Sequence, residues 1–355
     1  MQPFNVELFD RDYNLIQHYN IEDIEYKFDY LSPVENNAYI PFNDAVKKGD
    51  YIRIVNNKFD YFGFITSIVI DEAAEGFCTI GFKPFIELFN VNILFDIANQ
   101  GIGYLENALA GYITDNWITN GDTSQNIAGL EVETISSTSS WTFYVSNDDG
   151  LDNEIVNFES IIQEALTKYQ VGLYVTPNFT TQKIKIKIGR KSTSQFNIEA
   201  DLPSVIKKNI IVNRNRTDIN KLIVYDQSDL SSSIDYYLHP DGTYDTTDSD
   251  RITPVVYEMT SAAAPSGGTF ADAAQEAADK QFGNIKDSNL IELTVLNDDD
   301  LVNAADIEIG TQVNIISNNV VYSSILTGYE RKDTTKLIFG TIRVDLTKIL
   351  KEALK

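Results

Sequence analysis

KKGDYIRIVNNKFDYFGFITSI, residues 47–68, reads as a strand, a tight turn and a strand. Near the other end of the chain EIGTQVNIISNNVVYSSILTGY, residues 308–329, has the same shape. With Gly49 set against Gly310 the two run without a gap. Four pairs are identical: Gly49/Gly310, Asn57/Asn318, Tyr61/Tyr322 and Thr66/Thr327. The apolar pattern carries more than the identities. Ile52, Ile54 and Val55 meet Val313, Ile315 and Ile316, while Phe59, Phe64 and Ile65 meet Val320, Ile325 and Leu326. Side chains alternate across a strand, so a gapless match keeps the same set pointing inward. Each copy has a polar turn at the same offset, NNK or NNV, and then a charged turn, DEAAEG or ERKDTT. Each then continues into another strand and a short helical stretch, PFIELF or LTKIL. Two β units of one design are expected.

Working outward, residues 1–95 supply a series of short strands set off by turn residues: 4–10, 13–19, 22–31, 50–57, 61–71 and 77–84. Six strands in so short a stretch suggest a compact barrel or sandwich. From about 98 the texture changes. GYLENALAGYITDNW (103–117) places Leu105, Leu109, Ile113 and Trp117 on one helical stripe. After a polar stretch, Asn157 caps a second helix whose buried face is Ile161, Ile162, Ala165, Leu166 and Tyr169. GLYVTPN and KIKIKIGR then form a hairpin, with Ile184, Ile186 and Ile188 facing a core and Lys183, Lys185 and Lys187 facing water. Strands return at 220–227, 233–246, 252–259 and 290–297. HPDGTY marks a turn, TSAAAPSGGTF (260–270) a loop, and ADAAQEAADKQF (271–282) a helix rich in alanine.

The 355 residues suit two or three domains at roughly 150 residues each. Hydrophobic residues make up 43%, enough for real cores, and the 19 Tyr and 19 Phe favour strands. The formal charge of −24, from 52 acidic and 28 basic residues, argues against wrapping a nucleic-acid backbone. It permits a position close to DNA without adhesion, and it serves solubility. The single cysteine, Cys78 in the apolar run GFCTIGF, excludes a disulfide within the chain and reads as a buried structural thiol. The N-terminus has no signal-peptide pattern, and no stretch is apolar enough to span a membrane.

Few residues point to chemistry. His18 and His239 lie in different β regions and read as a strand and a turn residue. No His/Cys set has zinc-ligand spacing. The runs 147–154, 245–250 and 297–300 are rich in aspartate, but none fits a full EF-hand loop, and they read as solvated turns. No phosphate loop and no G-x-S-x-G nucleophile turn occurs. Acidic pairs abound, so a carboxylate dyad for glycoside hydrolysis stays open, and no one pair stands out. No catalytic, cofactor-binding or metal residue and no cofactor is assigned.

The order of a β unit, an α+β insertion, a β region with an alanine-rich helix and a second β unit resembles the baseplate-hub and tail-associated lysin (Tal) family of phage tails. The likeness extends to contractile-tail and secretion-system hubs. It rests on GDYIRIVNN…FGFITSI and GTQVNIISNN…SSILTGY, and YYLHPDGTYDTTDSDRITPVVYE is similar to what siphophage members carry before the second barrel. The resemblance implies an α+β, β-dominated fold. Two small tail-tube-like β-barrels would occupy 1–97 and 290–345, the second able to take in strands from 220–259. An α+β domain would fill 98–195, a β-rich region with the alanine-rich helix 196–289, and an amphipathic segment 346–355. It further implies a homotrimer at the virion's tail tip, in which two barrels per subunit present six similar units around one axis. Its partners would be the hexameric distal tail protein, the tape-measure protein, and receptor-binding or other baseplate proteins. DNA would pass through an acidic channel without specific binding. Many tail-associated lysins continue into a peptidase, hydrolase or host-binding module, whereas this chain stops at Lys355, implying a short or truncated hub that is not an enzyme. Two other functions fit the composition: a cell-wall polysaccharide or peptidoglycan hydrolase using paired carboxylates, and a carbohydrate-binding adsorption module using the aromatics.

Overall fold

The structure, a computed structural model, describes residues 4–22, 24–71, 76–96, 101–139, 141, 143, 153–191, 196–213, 219–240, 243–264, 268–282, 288–297 and 302–341. The C-terminal segment 346–355, most of the acidic run 147–154, Asp241 and Gly242 of the HPDGTY turn, and Asp298, Asp299 and Asp300 lie outside the described residues. The fold is α+β and β-dominated, with 50% strand against 15% helix.

The first region contributes β1 (Phe4–Phe9), β2 (Leu15–Ile21), β3 (Tyr26–Asp29), β4 (Asn36–Pro41), β5 (Tyr51–Val55), β6 (Asp60–Ile70) and β7 (Phe77–Pro84). Six of them form one sheet in the order β2-β1-β5-β6-β7-β4. Its sixth strand is β4, not the 22–31 segment expected from the sequence. β4 alternates buried and exposed residues, with Ala38 and Ile40 inward and Tyr39 outward. β3 leaves this sheet altogether and pairs with a strand near the far end of the chain.

The middle region holds β8 (Asn92–Asp96), α1 (Leu105–Trp117), β9 (Leu130–Thr134), β10 (Asn153–Asn157), α2 (Phe158–Tyr169), β11 (Gly172–Asn178) and β12 (Lys183–Gly189). Leu105, Leu109, Ile113 and Trp117 are all buried, as the stripe predicts. The Asn157 side chain caps α2, accepting from Ser160 N–H at 3.2 Å. Ile184, Ile186 and Ile188 are buried, and their lysine neighbours face out, Lys183 and Lys185 pairing with Glu131 and Glu133 on the parallel strand β9. The middle region does not have a core of its own. One aromatic-rich core runs from Phe9, Tyr51, Phe85 and Phe89 of the first region into Trp117, Phe158 and Leu166. Phe9 stacks on Phe179 at 3.6 Å, and Leu173 N–H donates to the Tyr30 hydroxyl at 2.9 Å.

Next come β13 (Phe196–Glu199) and β14 (Val205–Asn213). A separate compact unit follows, Ile210–Leu290, with β15 (Lys221–Asp226), β16 (Asp229–Leu238), β17 (Tyr244–Asp245), β18 (Tyr257–Ala262) and α3 (Phe270–Phe282). Its sheet has the order β17-β16-β15-β18, and Ala274, Ala278 and Phe282 of α3 pack on Leu222, Val224, Tyr236 and Leu238. Thr269 and Asp272 cap α3 reciprocally, Asp272 accepting from Thr269 N–H at 2.7 Å. The strands between 220 and 262 therefore pair among themselves and add nothing to the second copy of the repeat. The last of them begins at Tyr257 and takes in Thr260, Ser261 and Ala262, residues that read as loop.

The second copy consists of β19 (Ser288–Leu296), β20 (Gln312–Ser317), β21 (Val320–Arg331) and β22 (Thr334–Gly340), in a sheet ordered β13-β20-β21-β22-β19-β14 with β3 also on β21. Its strands match the first copy pair for pair. Tyr51↔Phe64, Ile52↔Gly63 and Ile54↔Tyr61 correspond to Gln312↔Ile325, Val313↔Ser324 and Ile315↔Tyr322. Gly49 N–H donates to Ile65 C=O and Gly310 N–H to Leu326 C=O, each at 2.8 Å. Both long strands shift register at the same point, between Ile65 and Ser67 and between Leu326 and Gly328. The residues skipped there are the identical pair Thr66 and Thr327. The copies diverge at their turns. Asn56 folds the first by accepting from the N–H groups of Lys58 and Phe59, whereas Asn318 and Asn319, at φ 51° and 63°, make a type I′ hairpin. Six residues (71–76) join β6 to β7, but only two (332–333) join β21 to β22, so Glu330 and Arg331 of the expected turn ERKDTT are strand residues.

Two expectations about stability follow from this geometry. Gly310 has φ 82°, and a methyl there would run into the Tyr174 hydroxyl; at Gly49 the obstacle is the end of the Arg11 side chain. Left-handed backbone costs a non-glycine residue about 1–2 kcal/mol, so Gly49→Ala should lose about that much in a urea titration and Gly310→Ala more. At the start of α1 the fully buried carboxylate of Glu106 is opposed by burial, which disfavours its charge. Bonds from Ser136 Oγ (2.6 Å), Thr138 N–H (2.7 Å) and Thr138 Oγ1 (2.8 Å) outweigh that and hold its pKa below the ordinary 4.5. Its contribution is complete above that value and is lost as pH falls through the lower folded value. Glu106→Gln should cost about 1–3 kcal/mol at neutral pH, and less as the acid limb of a stability–pH curve is descended.

Candidate functional site

Equivalent positions on the two copies carry opposite surface chemistry. In the first, Val69, Thr79 and Tyr39 lie in one cross-strand row over β6, β7 and β4. Val69, Ile70 and Tyr39 are 62%, 56% and 51% exposed, and the Tyr39 ring stacks on Phe77 with centroids 5.2 Å apart. In the second, the positions of Val69 and Thr79 are held by Glu330 and Lys336. Lys336 Nζ lies 3.0 Å from Glu330 and 3.6 Å from Glu292, and Lys27 of β3 adds a second cation 3.4 Å from Glu330. Partial burial works against the charge on Glu330, but the two lysines prevail and lower its pKa. A charged network is at home in water, whereas an exposed apolar strip on a soluble surface marks a contact region.

The strip adjoins the seam of the first sheet. β2 and β4 are its edge strands, and no backbone ladder joins them. The Tyr19 hydroxyl of β2 instead donates to Pro41 C=O of β4 at 2.9 Å, above a shallow pocket lined by Gln17, Phe42, Asn43 and Asp44. The edges are bridged by a side chain, and edge strands are where a sheet can take on a further strand.

The residues singled out for chemistry are scattered. His18 sits exposed on β2, opposite Glu7. His239 is in the other compact unit, with Nε2 3.2 Å from Asp245. Cys78 is buried in the first sheet, and burial raises its thiol pKa. Among the described residues no group of three or more His, Cys, Asp or Glu could hold a metal ion. In the run 245–250, Asp245 accepts from Thr247 N–H and Asp248 pairs with Arg251. Two described carboxylates have a raised pKa beside another carboxylate: Glu159, through burial and then the Glu87 charge, and Asp50, through burial with a smaller push from Asp10. Glu87 is committed to structure, however, accepting from Val34 N–H at 2.5 Å and lying 3.3 Å from Lys83 Nζ.

The sequence matches no protein-family model and no curated protein. Solved structures do match. A tail protein from Neisseria meningitidis MC58 superimposes with a TM-score of 0.53 at 10% identity, over 96% of each chain. The 43 kDa tail protein of prophage MuSo2 from Shewanella oneidensis gives 0.53 at 12% identity, over 96% of this chain and 98% of the other. A chain of the phage p2 virion baseplate in its activated conformation gives 0.51 at 11%, over 96% and 100%. The chain has the fold of phage tail and baseplate proteins. At such low identity a shared tail-protein fold reflects burial pattern and topology rather than retained surface residues, so the contact strip has to be tested on this chain itself. Because Tyr39 and Val69 are exposed, the double substitution Tyr39→Ser, Val69→Glu should change the unfolding free energy by no more than about 0.5 kcal/mol. Ile54→Ala, at a position with no exposed surface, should cost about 2–5 kcal/mol in the same titration.

Proposed function

We propose that this chain is a structural hub at the tip of a phage or phage-like tail. Three copies form a ring in which two β units per subunit make six similar units around one axis. The ring joins the sixfold distal tail protein to the tip and closes or gates the channel for the tape-measure protein and DNA. The observation that carries this reading is the repeat. Two meanders in one chain share strand pairing, glycine position and register shift, and such a repeat turns a threefold ring into a pseudo-sixfold one. The tail-protein fold supports a structural role in a tail. The charge of −24 suits a channel through which DNA passes without adhering. The difference between the copies fits alternating contacts: the apolar strip at Val69 and Tyr39 takes a protein partner, and the ion-paired face at Glu330 and Lys336 stays wet. The two units act as the ring-building domains, and no catalytic step is assigned to the chain.

Negative-stain electron microscopy of the purified chain, alone and with a distal tail ring, tests the proposal. Threefold particles with a central channel are expected, and the Tyr39→Ser, Val69→Glu variant should assemble at least tenfold less tightly while staying folded. Isolated monomers at micromolar concentration, even beside the partner ring, would overturn it.

A further inference from the structure

The first β unit, the middle region and the second β unit meet around a cavity of about 360 Å³. One wall is Arg331, the last residue of β21, whose counterpart in the first copy is the exposed Ile70. In the second copy β3 pairs there, Tyr26 opposite Arg331, and Arg331 becomes buried, with 6% of its surface exposed. The guanidinium is held between two rings, 3.8 Å from the centroid of Phe59 and 4.0 Å from that of Tyr329. Such contacts orient a cation but do not neutralise it.

Among the described residues Arg331 has no carboxylate partner, and its Nε has no hydrogen bond. The carboxylates nearby are already matched. Asp60 receives two bonds from Arg53, at 2.9 and 2.7 Å. Glu308 is paired with Lys191, and Glu330 with Lys27 and Lys336. On the cavity wall Lys191 is matched by Glu308, and Asp60 is matched by Arg53, which leaves the Arg331 guanidinium without a carboxylate among the described residues. The Tyr174 hydroxyl, on the cavity wall, is buried without a hydrogen-bond partner among the described residues, and the Tyr26 hydroxyl faces the Arg331 guanidinium. Burying an uncompensated charge is costly, and a planar guanidinium suits a carboxylate. An aromatic-walled cavity of this size with convergent polar groups is of the kind that takes small ligands.

We propose that the cavity binds a small monoanion with a flat apolar body, its carboxylate or similar head neutralising Arg331 and its body lying among the aromatic walls. This site is independent of the hub reading, since it needs no ring.

Titration calorimetry with 2-naphthoate and its neutral isostere 2-naphthamide tests it on the full chain. Naphthoate should bind once per chain and at least tenfold more tightly than the amide. Arg331→Met should abolish that preference, Arg331→Lys should keep part of it, and Ala305→Trp should fill the cavity and remove binding of both. Melting curves establish that each variant is folded. No saturable binding of naphthoate, or equal affinity for naphthoate in the wild-type and Arg331→Met chains, would overturn the proposal. So would an Arg331→Met variant that binds naphthoate unchanged but alters self-association, because the cation would then serve a carboxylate of another protein chain.

Discussion

Four residues, Tyr26–Asp29, pair with Gly328–Arg331 and so bind the beginning of the chain to its end. Much of the larger compact unit depends on that contact. Tyr26 is fully buried, and its ring meets Phe4 and Tyr61 of the first copy and Tyr329 of the second. Gly328 permits the approach, for a side chain there would press on the backbone of Phe28 and Asp29. A strand taken from one copy and added to the other makes the two cooperative. Neither sheet can be lost without exposing the aromatic cluster between them, and rings of this size bury more apolar area than any other side chains in a core.

The repeat also shows what a duplicated backbone conserves and what it releases. Pairing register, the positive-φ glycine and the register shift are retained because each is fixed by backbone hydrogen bonds, and a slip by one residue would turn every side chain to the wrong face. Turns and outward faces lack that constraint. An Asx turn in one copy is a type I′ turn in the other, and a valine in one is a glutamate in the other. Position 331 differs for another reason. It lies on the inward face in both copies, opposite buried Cys78 in one and buried Thr335 in the other; Ile70 is nonetheless exposed, whereas β3 covers that end of the strand in the second copy and the residue there is an arginine.

Sequence reading succeeded where the pattern was local. The alternation in KIKIKIG, the stripe of Leu105, Leu109, Ile113 and Trp117, and the Asn157 cap all state their environment within one element, and the structure agrees with each. The two hairpins were legible as a pair because inward residues recur at the same spacing. The reading failed where partners are distant. NNAYIP lies outside every strand expected from the sequence, yet Asn36 is buried on β4, donating to Lys27 C=O at 3.0 Å and to the Tyr61 hydroxyl at 3.2 Å. Tyr26–Asp29 looked like a sixth strand of the nearest sheet, and nothing local says that it crosses to the other. Arg331, in the charged run ERKDTT, looked like solvated turn chemistry. Only the shortness of the two-residue connection and the arrival of β3 place it in a cavity wall.

The distribution of charge bears on how such a chain can associate. Many of its 28 basic residues are taken up locally: Arg53, Lys27, Lys83, Lys183, Lys185, Lys191, Lys208, Lys221 and Lys336 each lie within ion-pair distance of a carboxylate on the same chain. The acidic excess is therefore largely uncompensated and borne at the surface, where identical copies repel one another. Ion pairing between copies would be a weak source of attraction, since exposed pairs contribute little even when the signs match. Close approach of several copies must then be driven by apolar area and backbone pairing. The first copy supplies both: Tyr39 of the edge strand β4, Phe77 of β7 and Val69 of β6 share one exposed face, and among the described residues no ladder joins the edges β2 and β4. The corresponding row of the second copy is filled with matched charge and offers no such drive, so in the proposed ring the two repeats would make unlike contacts.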